Sequence, residues 1–129
     1  QKLCLSRRLV CDLDLPVSIV PVPTVREADG LALSYRNRRL SAARRQQATH
    51  LPAALLACIA DIKAGSPVAD SLQTCRDRLT GSGFNVHYLE LRTGDTLEQT
   101  STPQPDARLF VAASLGDIRL IDNMPLHQA

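Results

Sequence analysis

The chain has 129 residues, 44% of them apolar and 22% charged, the size and balance of one globular domain with a real core rather than a disordered or fibrous chain. Aromatic residues make up 3%, with no Trp, which argues against a single-stranded nucleic-acid binder, because such proteins stack bases on aromatic rings. The net charge of +2 hides an asymmetry: residues 1–50 carry nine Lys/Arg against four Asp/Glu, residues 51–129 six against nine, so an anionic partner is expected at one place only.

In chain order, QKLCLSRRLVCDLDLP sets Leu3, Leu9, Val10 and Leu13 near helical spacing, and Pro16 stops that helix. The apolar run VSIVPV, Val17 to Val22, is fit for a buried strand, after which Pro21 and Pro23 break the pattern. A helix feeding a strand so abruptly is expected to be the tail of an α/β unit whose earlier strands lie elsewhere. The first residue is Gln rather than Met, so Gln1 is not expected to be the natural N-terminus. Ser41 can cap a helix over about Ala42 to Ala64, with Leu51, Leu55, Ile59 and Ile62 on its inner face. Pro52 should kink or divide it. Ser66-Pro67 predicts a cap followed by Pro at the first position of a second helix, lined by Val68, Leu72, Cys75 and Leu79 and ended by Gly-Ser-Gly at 81–83.

The period then changes to two. Residues 84–92, 108–114 and 117–121 read as strands, and Leu115-Gly116-Asp117 as a tight hairpin turn. Two helices on a small antiparallel three-stranded sheet make an α+β domain. No apolar run approaches the ~18 residues of a membrane helix, and no secretory leader is visible. Cys4, Cys11, Cys58 and Cys75 form no CxxC pair and read as reduced thiols of a cytoplasmic protein, rather than as disulfides or metal ligands.

Most catalytic patterns fail on inspection. His50, His87 and His127 lack zinc spacing, Walker A and GxGxxG are missing, and Ser34 has no His or Asp arranged for a triad. Asp12, Asp14 and Asp122 form no paired-carboxylate site. What remains is DGLALSYRNRRLS, Asp29 to Ser41, which opens a run of five arginines between Arg36 and Arg45 with no acid among them. A hydroxyl at Ser34, a guanidinium at Arg36 and an amide at Asn37 can wrap a polyphosphate, because the guanidinium makes bidentate, charge-assisted hydrogen bonds. The alternative is a solvated basic face. Charge alone does not separate the two.

The residues say more than their charge. VPTVREADGLALSYRN, Val22 to Asn37, closely resembles the signature of the pantoate–β-alanine ligase (pantothenate synthetase) family, approximately V-READGLAMSSRN followed by a Leu-Ser/Thr helix start, here Leu40-Ser41. The likeness continues in YLELR (Tyr88 to Arg92), in LFVAASLGDIRLIDN (Leu109 to Asn123) and in QKLCLSRRLVCDL, similar to the family's Q-Q-L-x-x-I-R-R-M-V-x-D-L helix. The resemblance implies that residues 1–23 are the last helix and strand of an N-terminal Rossmann-like nucleotide-binding domain, and that 24–129 are a smaller C-terminal lid. By that resemblance the chain is one part of a two-domain enzyme and inactive by itself.

The implied reaction activates pantoate with ATP as pantoyl-adenylate and releases pyrophosphate. The amine of β-alanine then attacks to give pantothenate and AMP, with Mg²⁺ on the phosphates, held mainly by the other domain. Catalytic roles fall to Arg36 and Ser34; ATP would lie against Val25, Leu33, Ser34, Tyr35 and Arg36, and no metal ligand is expected in this chain. Two positions depart from the family pattern. Tyr35 replaces the second Ser of SSRN, and Lys2 replaces a Gln that binds pantoate. The resemblance further implies a cytoplasmic homodimer that acts on small molecules, with neither nucleic acid nor membrane as partner. The competing readings are a non-catalytic structural or dimerisation domain and a polyanion-binding module using Arg36 to Arg45.

Overall fold

The period-two segments do pair. In a computed structural model describing residues 1–127, β1 (Asn85–Arg92), β2 (Arg108–Leu115) and β3 (Ile118–Pro125) form one antiparallel sheet in the order β1-β2-β3. Tyr88 lies opposite Ala112 and Val111 opposite Asp122, with a bulge in β1 between Val86 and Tyr88. β2 is buried at almost every position, as a central strand should be, whereas β3 alternates. Ile118, Leu120, Asp122 and Met124 face inward there, because side chains on a strand point to opposite faces in turn. The β2–β3 hairpin turns at Gly116-Asp117. Gly116 has φ +63°, the left-handed region that a two-residue turn needs and a side chain resists.

Before the sheet come α1 (Lys2–Asp12), a 3₁₀ turn (Tyr35–Arg39), α2 (Ala42–Ala48), α3 (His50–Lys63) and α4 (Val68–Gly81). Helices α3 and α4 pack on each other, and α4 on β1. Leu51, Leu55, Cys58, Ile59 and Ile62 of α3 and Cys75 and Leu79 of α4 join Leu89, Leu91, Leu109, Val111 and Leu120 in one core. Each fully buried leucine contributes roughly 1.5–3 kcal/mol. The α+β reading holds, with two helices on a three-stranded sheet.

The structure decides four local expectations. Val17–Val22 is not a buried strand: it carries no strand pairing, and Val17, Val20 and Val22 are exposed. A strand needs a neighbour, and the three strands of this sheet lie beyond residue 84. Pro52 divides the long helix, but at Thr49, three residues earlier, since the proline ring crowds the carbonyl four positions back, that of Ala48. Ser66 does not cap α4. The helix begins at Val68 with Pro67 in the capping position and no side-chain cap. The third strand runs to Pro125 rather than stopping at residue 121. Helix α1 forms as expected, yet none of its residues is buried.

Candidate functional site

The Arg-Glu-Ala-Asp-Gly stretch folds as a tight hairpin. Arg26 and Ala32 form an antiparallel bridge, Leu33 N–H donates to Val25 O at 2.9 Å, and Glu27 N–H donates to Leu31 O at 2.8 Å. Gly30, at φ +86°, closes the turn and donates to Glu27 O at 2.9 Å. The Asp29 carboxylate accepts from Leu31 N–H at 3.2 Å. This hairpin sets Val25 beside Leu33, and both are exposed.

Three side chains fasten the hairpin to the rest of the domain. Arg26 donates bidentately to Asp122 on β3 at 2.7 and 3.0 Å, and also to Gly30 O at 3.0 Å. Asn37 is buried and turns inward, its Nδ2 donating to Glu27 Oε1 at 2.7 Å and to Ala32 O at 3.0 Å. Arg45 of α2 forks between Glu27 and Asp29, each at 2.7 Å. Hydrogen bonds from Asn37 and Arg45 hold the Glu27 carboxyl below its ordinary pKa, and those from Arg45 and the Leu31 N–H do the same for Asp29. Near the same end of β3, Arg108 donates to Asn123 Oδ1 at 2.8 and 3.0 Å, and burial lowers its pKa.

The five arginines are thus not alike. Arg45 braces the hairpin, while Arg44 and Arg39 reach Asp117 at 3.2 and 3.9 Å. Arg36 and Arg38 form no ion pair among the described residues. Ser34 caps the 3₁₀ turn, its Oγ accepting from Arg36 N–H at 3.3 Å, which leaves the hydroxyl proton free to donate outward. Ser34, Tyr35 and Arg36 are all exposed. Under the turn lies a cavity of about 30 Å³, lined on one side by Ala32, Ser34, Arg36 and Asn37 and on the other by residues of β3.

Five of the residues singled out from the sequence therefore gather on one hairpin and turn: Val25, Leu33, Ser34, Tyr35 and Arg36. Lys2 is exposed on α1, and among the described residues no hydrogen bond or ion pair joins it to that turn. Asn37 is a correction. Its place beside Arg36 suggests a polyphosphate ligand, but its amide is spent inside the hairpin. The scaffold residues Arg26, Glu27, Arg45 and Asp122 gave no local signal, since their ion pairs span 16 to 96 positions. Among the described residues, no cluster of three His, Cys, Asp or Glu is arranged to hold a metal ion.

A three-stranded α+β domain that mounts a hydroxyl–guanidinium turn at its sheet edge is the class of protein that fold and site define. The sequence profile of the family described as Pantoate-beta-alanine ligase matches residues 1–125. The chain belongs to the pantoate–β-alanine ligase family. The pantothenate synthetase of Chelativorans sp. (strain BNC1) is 50% identical over an alignment 129 positions long that covers 99% of this chain and 45% of that protein. The crystal structure of pantothenate synthetase from Thermus thermophilus superposes with a TM-score of 0.90 at 41% identity, covering 98% of this chain and 46% of that one. The pantoate-beta-alanine ligase of Francisella tularensis, solved in complex with beta-gamma ATP and beta-alanine, shares the fold with a TM-score of 0.67 at 23% identity, over 97% of this chain and 40% of that one. The chain spans less than half the length of these relatives.

Proposed function

We propose that this chain is the lid part of a pantothenate synthetase, closing a basic turn over the phosphates of ATP while pantoate is activated and joined to β-alanine. In this reading residues 1–23 belong to the nucleotide-binding domain and 24–129 form the lid. The observation that carries it is the contrast among the arginines. Arg45, Arg44 and Arg39 pair with acids of the domain, while Arg36 stands exposed and unpaired among the described residues beside a serine whose proton is free. That contrast also weakens the polyanion-binding reading, which needs the whole arginine run.

The chemistry follows from the side chains. Arg36 offers two parallel N–H donors to phosphate oxygens, and Ser34 adds a third donor. Pantoate carboxylate attacks the α-phosphorus of ATP, the bond to the pyrophosphate oxygen breaks, and charge builds on that leaving group. Donors fixed where the charge develops stabilise the transition state more than the ground state. Val25 and Leu33 present an apolar edge for the nucleotide, and Tyr35 can donate from its hydroxyl. Closure of the turn would keep water from the acyl-adenylate until the β-alanine amine displaces AMP. The ATP phosphates fit this donor set. Mg²⁺ would neutralise phosphate charge and is assigned mainly to the rest of the enzyme, as is homodimer formation; Lys2 would face the pantoate carboxylate. No helix among the described residues is long and apolar enough to cross a membrane. In this reading the enzyme works in the cytoplasm, the compartment that the family resemblance implies.

The test is pantoate-dependent exchange of labelled pyrophosphate into ATP, run on the gene product that carries these residues and on residues 1–129 alone. The first should exchange and the second should not. Exchange by neither removes the ligase reading; exchange by the isolated chain removes the lid reading.

A further inference from the structure

Asn37 Oδ1 is buried, and no donor among the described residues reaches it. The amide cannot be turned round to cure this, because its Nδ2 is committed to two acceptors, Glu27 Oε1 and Ala32 O. A buried acceptor without a donor is costly, and native proteins satisfy nearly all of them. Asn37 lines the cavity of about 30 Å³ beneath the turn, which is large enough for a water, since a water needs about 10–15 Å³. The opposite wall is Arg119 to Asp122 of β3. That strand is an edge of the sheet, paired only to β2, so part of its backbone row points away from the sheet and needs partners outside it. The 3₁₀ turn packs against this strand.

We propose that the cavity is a single-water site, and that Asn37 acts through this water as a positioning residue, tying the turn that carries Ser34 and Arg36 to β3. The water donates to Asn37 Oδ1 and bridges to a polar group of the Arg119–Asp122 strand. Asn37 follows Arg36 directly, and its N–H and C=O close the turn, bonding Ser34 O at 3.0 Å and Leu40 N–H at 3.1 Å. A fixed Asn37 therefore fixes the point from which the Arg36 side chain leaves the backbone. The positioning half of the proposal rests on the ligase reading; the water itself does not.

A crystal structure of residues 1–129 at a resolution that reveals buried waters decides the site. The expected result is a water within ~3 Å of Asn37 Oδ1 and of an atom of residues 119–122. A dry cavity, or a guanidinium donating directly to Oδ1, overturns it. For the positioning half, Ala32→Val crowds the cavity wall and leaves Asn37 in place, while Asn37→Ala removes both anchor and acceptor. With the active gene product, both should raise the KM for ATP by roughly tenfold and leave the KM for pantoate unchanged, a split that a mere loss of folded enzyme does not produce. An Ala32→Val enzyme that lacks the water and keeps the wild-type KM for ATP overturns the positioning role. A wild-type gene product without ligase activity overturns the ligase reading and the positioning role with it, and the crystal structure still decides the water.

Discussion

Arg26 and Asp122 are 96 positions apart and meet in a two-pronged ion pair at 2.7 and 3.0 Å, with the Asp122 side chain only 1% exposed. The pair joins the hairpin that carries the candidate site to the last strand of the sheet. Asp122 has little water to fall back on, so its carboxylate oxygens take their hydrogen bonds from Arg26 and from the N–H of Asn123.

Removing one partner should therefore hurt more than removing both. Asp122→Ala is expected to cost about 3 kcal/mol of stability, because it leaves the largely buried guanidinium of Arg26 unpaired. The double change Arg26→Met with Asp122→Leu should cost less than that single change. Urea unfolding of the three proteins measures this, and a loss below about 1 kcal/mol in Asp122→Ala would show the pair to be ornamental.

Arg36 and Arg45 should separate cleanly. Arg36→Ala leaves every ion pair of the domain standing, so its melting temperature should match the wild type. The rate of the active gene product should fall on the order of 10²-fold, as on losing one transition-state donor. Arg45→Ala should lower the melting temperature, since it strips Glu27 and Asp29 of their shared cation. Melting curves and initial rates on both variants decide it, and an unchanged rate in Arg36→Ala sinks the role given to that side chain.

The hairpin also predicts an acid response. Glu27 and Asp29 both have folded pKa values below their ordinary ones. A depressed carboxylate adds stability that is complete above its unfolded pKa, about 4, and is lost as pH falls through the folded value. The melting temperature should accordingly drop below about pH 4, and the drop should be shallower in Arg45→Gln, where the chief cation is gone. Equal slopes in the two proteins would mean that the carboxylates are not coupled to Arg45.

The cysteines give a chemical check on the core. Cys58 and Cys75 are fully buried between α3 and α4, and each thiol donates to a carbonyl of the other helix at 3.4 Å. The neighbouring Cys58 thiol and burial push the Cys75 thiol upward. Cys11 is exposed. In the native protein iodoacetamide should alkylate Cys11 and spare Cys58 and Cys75 until denaturant is added. Mass spectrometry reads this directly, and early labelling of Cys75 would contradict the packing.

The readable parts of this fold were those written in local periods. The inner faces of α3 and α4 and the alternation in β1 and β3 follow from neighbours three, four or two positions away, so they appear in the sequence itself. The scaffold of the site does not. Arg45 looked like one more member of a basic run, and only the folded hairpin brings Glu27 and Asp29 under it. Asn37 looked like a phosphate ligand because it follows Arg36, but the direction of an amide depends on the turn it sits in. The strand expected at Val17–Val22 is a different case: it reads as the tail of an α/β unit whose earlier strands lie elsewhere, and no strand among the described residues pairs with it. Its composition suits a strand, and composition cannot supply the neighbour that a strand requires.

That same segment carries a practical consequence. Among the described residues, the backbone of 18–24 makes no hydrogen bond, and no core residue precedes Leu31. Proteases bind their substrates as extended chains and cut where such a chain can be drawn out without breaking packing. Brief digestion should therefore nick the protein before Arg26 and release α1, while the product from the hairpin onward keeps its melting transition. The boundary at which this chain can be trimmed is thus set by where its hydrogen bonds begin rather than by where its helices do.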